Sequence, residues 1–325
     1  MSSENRITGH YNVPPELSGK RLDQAAAELI SEHSRSRLQS WIKNGSLTVN
    51  GKSRKPRDKV MIGDELALDA EPEAQVTWQA EPITLDIVYE DEHLLVINKP
   101  AGLVVHPAAG HADGTLVNAL LNHAPEVENL PRAGIVHRLD KDTSGIMVVA
   151  RSLIAHTSLV EQLQTRTMGR EYEAVVVGSL TGGATIDEPI GRHPQDRKRM
   201  AVVASGKPAV THYRLIERFA AHTHIHCKLE SGRTHQIRVH LAHVRHPLVG
   251  DPVYGGRLRL PKGTTEELRE VLAAFTRQAL HARKLTLEHP ETGEILSWEV
   301  PLPDDMVNLI EALRQHAREL EGRDY

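Results

Sequence analysis

Apolar positions along the first third of the chain recur at helical spacing and then alternate. From Gly19, Leu22, Ala25, Ala26 and Leu29–Ile30 predict a first helix. Ser34 is placed as the N-cap of a second helix, which buries Leu38, Trp41 and Ile42 and stops at Asn44-Gly45. S-L-T-V-N-G-K then reads as a short strand with an Asn-Gly turn, and V-M-I-G-D-E-L-A-L follows it. Residues 1–17 read as a polar tail or a poorly ordered edge strand. The acidic stretch 69–83, with two prolines and no periodicity, reads as a linker, drawn at 71–83 between a small domain at 18–70 and a larger one at 84–325.

From Leu85 the pattern changes to short strands: L-D-I-V-Y-E-D, H-L-L-V-I-N-K-P and G-L-V-V-H-P. A helix near 114–123 follows, then a strand at 146–150, a helix around 153–165 and the strand E-Y-E-A-V-V-V-G. Ala209–Glu217 and His222–Glu230 read as an antiparallel pair, and Asp304–Glu321 as a terminal amphipathic helix. Many short strands with few helices between them predict an α+β fold, with a mixed, mainly antiparallel sheet flanked by helices. The stretch Gly134–Gly145, G-I-V-H-R-L-D-K-D-T-S-G, is a polar dozen between apolar segments. Such a loop at the edge of a core is a common seat of chemistry.

At 325 residues, 39% hydrophobic and 25% charged, the composition is that of a globular protein of two domains. The first residues contain no apolar signal core and no window approaches a membrane span, so a cytoplasmic protein is expected. A single cysteine, Cys227, rules out an internal disulfide and suits a reducing compartment. The net charge of −4 says little, but its distribution is uneven. Residues 34–59 carry eight Lys or Arg against Asp58 alone, a segment of +7 on a remainder of −11. A compact basic module on an acidic chain is an electrostatic footprint for a polyanion.

Several chemistries can be set aside. D-K-D-T-S-G begins like a calcium loop, but position twelve is Arg151 where a bidentate acid is required. His222, His224 and His226, or His235, His240 and His243, lack a cysteine or nearby acid to complete a metal site, so no metal is expected. Phosphate-cradling and serine-elbow motifs are missing from the sequence. What remains is Asp140 in the polar loop, Tyr172 in R-E-Y-E-A, and S-G-R-T-H-Q-I-R-V-H-L from Ser231. In that last stretch Gly232 breaks a strand. Ile237, Leu241 and Val244 make Thr234 onward a helix, with Arg238 in its first turns and Arg233 at its mouth. Sequence alone leaves open whether these groups converge.

Two resemblances now enter. Residues 19–68, with R-L-D and S-R-S-R-L-Q-S-W-I-K-N-G-S-L-T-V-N-G-K, resemble the S4 RNA-binding domain. It implies binding of structured RNA through shape and backbone, with Arg35, Arg37, Lys43 and Lys52 as phosphate contacts. H-R-L-D-K-D-T-S-G-I-M-V-V-A resembles the signature of the RluA family of RNA pseudouridine synthases. It is joined, in order, by V-I-N-K-P-A-G-L-V-V-H-P, R-E-Y-E-A-V-V-V-G, G-K-P-A-V-T-H-Y, S-G-R-T-H-Q-I-R-V-H-L, H-P-L-V-G-D-P-V-Y-G-G and Q-A-L-H-A.

The family resemblance implies an isomerase that needs no cofactor. Asp140 maps to the catalytic aspartate, and Asp142 becomes a loop or capping carboxylate. Arg238 maps to the arginine that pairs with the aspartate, with Arg233 as the alternative. Tyr172 maps to the tyrosine that stacks on uracil, and Arg138 to the arginine that fills the place of a flipped uridine. Arg233 is a further RNA contact, and the basic loop Arg192, Arg197, Lys198, Arg199 a candidate RNA clamp. The implied partner is large-subunit rRNA or a pre-ribosomal particle, met by a monomer away from any membrane. A non-catalytic RNA-binding assembly factor and a glycoside hydrolase using Asp142 as second carboxylate are the competing readings.

Overall fold

The computed structural model describes residues 6–33, 35–70, 78–107, 112–196, 198–258, 260–261 and 263–322. Contacts divide the chain into two compact units, 1–77 and 78–325. The Ser34 cap, Arg197 and most of the linker (71–77) lie outside the described residues.

The first unit contains β1 (Ile7–Asn12), α1 (Leu22–Leu29), α2 (Arg35–Asn44), β2 (Leu47–Val49) and β3 (Glu65–Ala70). Leu22, Ala25 and Ala26 of α1 meet Leu38, Trp41 and Ile42 of α2 in one apolar core, closed by Val49, Leu66 and Leu68 from the strands. The strands form an antiparallel sheet in the order β1-β3-β2. Of the two readings given for 1–17, polar tail and edge strand, the described part forms the edge strand. Residues 7–12 are an edge strand paired in full register with β3, Ile7 opposite Ala70 and Asn12 opposite Glu65. Val13 and Leu17 are buried in the same core. Alternating exposure along β1 disguised it, because only one face of an edge strand is covered.

The second unit is built on nine strands: β4 (Ile87–Glu90), β5 (Leu94–Lys99), β6 (Ser144–Ala150), β7 (Gly169–Val177), β8 (Ala184–Asp187), β11 (Val210–Arg218), β12 (His222–Leu229), β13 (Leu280–Glu288) and β14 (Ile295–Glu299). Their order is β4-β5-β6-β13-β7-β12-β11-β8, with β14 beside β13. All ladders are antiparallel except β13 with β6. This is the mixed, mainly antiparallel sheet expected. A separate hairpin is made by β9 (Ile190–Arg192) and β10 (Met200–Val202). The helices are α3 (Leu116–His123), α4 (Leu153–Gln164), α5 (Gln236–His243), α6 (Glu266–Ala274) and α7 (Asp304–Glu321). Met306, Ile310 and Leu313 of α7 pack with Leu268 and Leu272 of α6 in a satellite core.

Two expectations fail here. G-L-V-V-H-P forms no strand, because the carbonyls of Val104 and Val105 accept the free N–H groups of Leu116 and Val117 at the start of α3. The linker's last residues, 79–83, are not free: Asn118 Nδ2 donates to the Gln79 carbonyl (2.8 Å) and Glu81 N–H to the Asn118 carbonyl (3.0 Å). In the first unit Arg35 is half exposed and anchored by one of its N–H groups. Its Nη2 donates to the fully buried Asp23 (3.1 Å), which Arg21 and Gln39 hold as well.

Candidate active site

The polar loop runs from Ile135, bridged to Val149, to the start of β6. β6 is buried along its whole length, so the loop is fixed at its far end. Gly145 adopts φ +119°, and a Cβ there would stand 2.2 Å from the Ala282 carbonyl oxygen. Only glycine lets β6 come this close to β13.

Within the loop, Thr143 N–H closes a turn on the Asp140 carbonyl (3.1 Å) and Gly102 N–H reaches the Lys141 carbonyl (2.9 Å). Beneath it lies Lys99, fully buried at the end of β5. Its Nζ donates to the carbonyls of Pro100 (2.8 Å), Leu103 (2.9 Å) and Lys141 (3.0 Å), using all three ammonium protons. Burial pushes this lysine down to about 7, against the charges of Asp142 and Asp140, which raise it. From the β13 side, Gln278 Nε2 donates to Thr143 Oγ1 (3.0 Å) and Arg277 Nη1 to the Asp142 carbonyl (3.2 Å).

So braced, the loop presents Asp140 to Arg238. Arg238 Nη1 donates to Asp140 Oδ2 at 3.0 Å, while its Nε and Nη2 form a two-pronged contact with Asp251 at 2.7 and 3.0 Å. Asp251 is itself held by the N–H groups of Val253 (2.8 Å) and Tyr254 (2.9 Å). Burial opposes the charge on Arg238, but the Asp251 bonds, then the Asp251 and Asp140 charges, outweigh it and raise its pKa. Burial likewise works against the Asp251 carboxylate, and the Arg238 bonds keep it low. Asp140 is therefore the exposed end of a carboxylate–guanidinium–carboxylate row whose far end is dry.

His235 enters from the other side. It sits in a left-handed conformation (φ 57°) just before α5, which starts at Gln236, two residues later than expected. Its Nε2 is 3.8 Å from Asp140 Oδ1, and its Nδ1 is 2.8 Å from Tyr254 Oη, which accepts the Met200 N–H (2.9 Å). The guanidinium groups of Arg238 and Arg199 both lie over the Tyr254 ring, 5.1 and 5.3 Å from its centroid. The ring thus ties the β9–β10 hairpin to α5.

A cleft of about 590 Å³ opens over Asp140, walled by Tyr172, Arg138, Arg170, Arg233 and His235. Tyr172 is buried on β7, and burial raises its pKa, so the phenol stays protonated. Arg138 is exposed at the rim. Arg233 donates through Nε to the Pro208 carbonyl (3.1 Å), not to Asp140. Asp142 lines neither this cleft nor the narrower one beside Arg238. Asp140, Tyr172, Arg138, Arg233 and Arg238 thus converge. Lys99, Asp251 and Tyr254 were not singled out by sequence reasoning, and His235 was weighed only as a metal ligand; all four sit inside the quoted motifs.

In the first unit, Lys43 and Lys52 are exposed, and Arg37 rests over the Trp41 ring at 5.4 Å. Of the basic loop, Arg192 ends β9, Lys198 is exposed and Arg199 faces Tyr254. His224 and His226 pair with Glu173 (2.8 Å) and Glu171 (2.7 Å) across β12 and β7, and Cys227 is buried, its thiol pushed up to about 12 by burial. Among the described residues, no three acids, histidines or cysteines are grouped to hold a metal ion, and no helix is long and apolar enough to cross a membrane.

Comparison with known proteins completes the site. Residues 93–243 match the RNA pseudouridylate synthase family and residues 20–66 the S4 domain. The chain is 62% identical over 310 residues, 95% of its length and 97% of the other, to ribosomal large subunit pseudouridine synthase D of Pseudomonas aeruginosa. It is 57% identical to the protein of that name from Escherichia coli strain K12, over 91% of each chain. Among solved structures, human RNA pseudouridylate synthase domain containing 4 is similar at 27% identity and a TM-score of 0.55, covering 70% of this chain and 93% of that one. The chain belongs to the RNA pseudouridine synthases, isomerases of uridine, and carries an S4 domain before the catalytic one.

Proposed function

We propose that this chain converts uridines of large-subunit rRNA to pseudouridine, with Asp140 as the essential carboxylate. The resemblance points to the helix 69 stem-loop of 23S rRNA as the target. The reaction breaks N1–C1′, turns the uracil, forms C5–C1′ and releases the C5 proton while N1 is protonated. Nothing is oxidised, so the reading requires no cofactor. The enzyme acts in the cytoplasm as a monomer, on rRNA or a pre-ribosomal particle.

The observation that carries this reading is the row Asp140–Arg238–Asp251. A carboxylate that either attacks C1′ or removes the C2′ proton must be ionised. The 3.0 Å contact from a guanidinium anchored by a second, drier carboxylate holds Asp140 in place at the cleft. Tyr172, protonated and buried beside the cleft, is suited to stack on uracil. Arg138 at the rim is suited to fill the helix position a flipped uridine leaves, and extrusion costs a few kcal/mol. Arg35, Arg37, Lys43, Lys52 and Arg233 contribute phosphate contacts.

The test uses Asp140→Asn. The variant should fold and retain rRNA, yet release no tritium from C5-tritiated uridine. Substantial release would overturn the assignment.

A further inference from the structure

Among the described residues of the cleft, one buried arginine has no partner. Arg170 stands on β7 and is 7% exposed. Its Nε is buried without a hydrogen-bond partner, and its guanidinium makes no hydrogen bond or ion pair with any described residue. The two acids of the cleft are already engaged, Glu230 with Arg166 (3.0 Å) and Asp140 with Arg238 (3.0 Å). His137 beside it is kept neutral, because burial, then Arg170 itself, drives it down to about 3.

A buried guanidinium without an acid is costly, and a fold that keeps one has a use for the charge. The surroundings are shaped for it. A Cβ on Gly232 would stand 2.3 Å from Arg170 Nη1, so a side chain there would take the place of the guanidinium. Gly232 also belongs to the cleft wall. The missing partner is therefore an anion delivered into the cleft from outside.

Position in the strand selects which anion. Arg170 and Tyr172 are two residues apart on β7, hence on the same face and roughly 7 Å apart along the strand. That is about the span from a nucleobase to the phosphates of its own nucleotide. A uracil resting on Tyr172 with its ribose at Asp140 brings a flanking phosphodiester to Arg170, whereas the phosphates of the surrounding stem stay outside. The planar fork of arginine matches two phosphate oxygens.

Resting on the proposed reading of Asp140 and Tyr172, we propose that Arg170 binds one of the two phosphodiesters flanking the flipped uridine. It anchors the extruded nucleotide, while Asp140 acts on its ribose.

The experiment uses the full chain and a stem-loop RNA that it converts, with a neutral methylphosphonate placed 5′ or 3′ of the target uridine. One of the two placements should raise KM for the wild-type enzyme about tenfold, the weight of a charge-assisted contact, with kcat little changed. Arg170→Gln should raise KM by a similar factor and be indifferent to that same placement. Wild-type enzyme indifferent to both placements would overturn the proposal, as would effects of variant and placement that multiply. The wild-type arm decides even if Arg170→Gln does not fold, and Arg170→Lys, which keeps the charge, should then recover part of the affinity. Failure of the wild-type enzyme to convert any uridine would instead overturn the proposed function.

Discussion

Lys99 Nζ donates to the Lys141 carbonyl at 3.0 Å, one peptide beyond Asp140. A buried ammonium on β5 thus fixes the backbone of the loop that presents Asp140, with the Pro100 and Leu103 carbonyls completing its shell. Lys99→Met keeps the length of the side chain, leaves the Pro100 and Leu103 carbonyls without their donor and the Lys141 carbonyl with only the Gly102 N–H. It is expected to cost about 2 kcal/mol of stability and to lower kcat more than it raises KM. Denaturant unfolding with steady-state kinetics checks this, and unchanged values for both would mean the loop holds its shape unaided.

Asp251 touches Arg238 with both oxygens and lines neither cleft over Asp140. Asp251→Asn removes one charge and spoils the two-pronged geometry, letting Arg238 turn away from Asp140. A displacement of about 1 Å at a reacting group can cost on the order of 100-fold in rate. The expectation is a loss of that size in kcat with near-normal RNA retention. An equal loss in RNA binding would instead mark Asp251 as part of the binding surface.

Asp23 makes a prediction of unusual sign. It is fully buried; burial raises its carboxyl, but the bonds from Arg21, Arg35 and Gln39 outweigh this and hold it at about 2. Removing a negative charge from a basic RNA-binding module would ordinarily tighten binding. Here Asp23→Ala should weaken it several-fold, because Arg21 and Arg35 lose the anchor that aims them. Affinity measured at two salt concentrations separates the outcomes. Tighter binding would show that these arginines need no aiming.

Acid should loosen the catalytic domain through its histidines. Burial first of all pushes His137 down to about 3 and His222 and His281 to about 4, from an ordinary value near 6.5. Between these limits the unfolded chain binds protons that the folded chain refuses, so stability falls as pH falls from 6.5 toward 4. Each such histidine contributes up to about 1.4 kcal/mol per pH unit. Replacing His222 with Gln should flatten the slope measured by urea unfolding across that window. An unaltered slope would place the acid sensitivity elsewhere.

Much of the site was legible because the motif residues carry it. The helical spacing of Leu38, Trp41 and Ile42, the run 146–150 and the pairing of Ala209–Glu217 with His222–Glu230 all agree with the structure. Asp140 and Arg238, 98 residues apart, were joined only by resemblance, since no local period links them. The remainder depended on long-range hydrogen bonding. G-L-V-V-H-P has the apolar content of a strand, but its carbonyls are taken by α3, and no ladder is left for it. Lys99 looked like the polar end of a strand, yet its three acceptors come from two separate turns. Tyr254 owes its place to the β9–β10 hairpin, and the sequence gives no sign that Met200 would return to it.

Ala282 stands in the sheet between Gly145 and Tyr172, paired with both. The strand leaving the Asp140 loop and the strand bearing Tyr172 are thus neighbours only through β13, which the ribosome makes more than a hundred residues after Tyr172. During synthesis β6 and β7 have no strand between them to set their pairing until this segment emerges. A nascent chain stopped short of β13 therefore lacks the strand that sets Gly145 and Tyr172 on either side of Ala282.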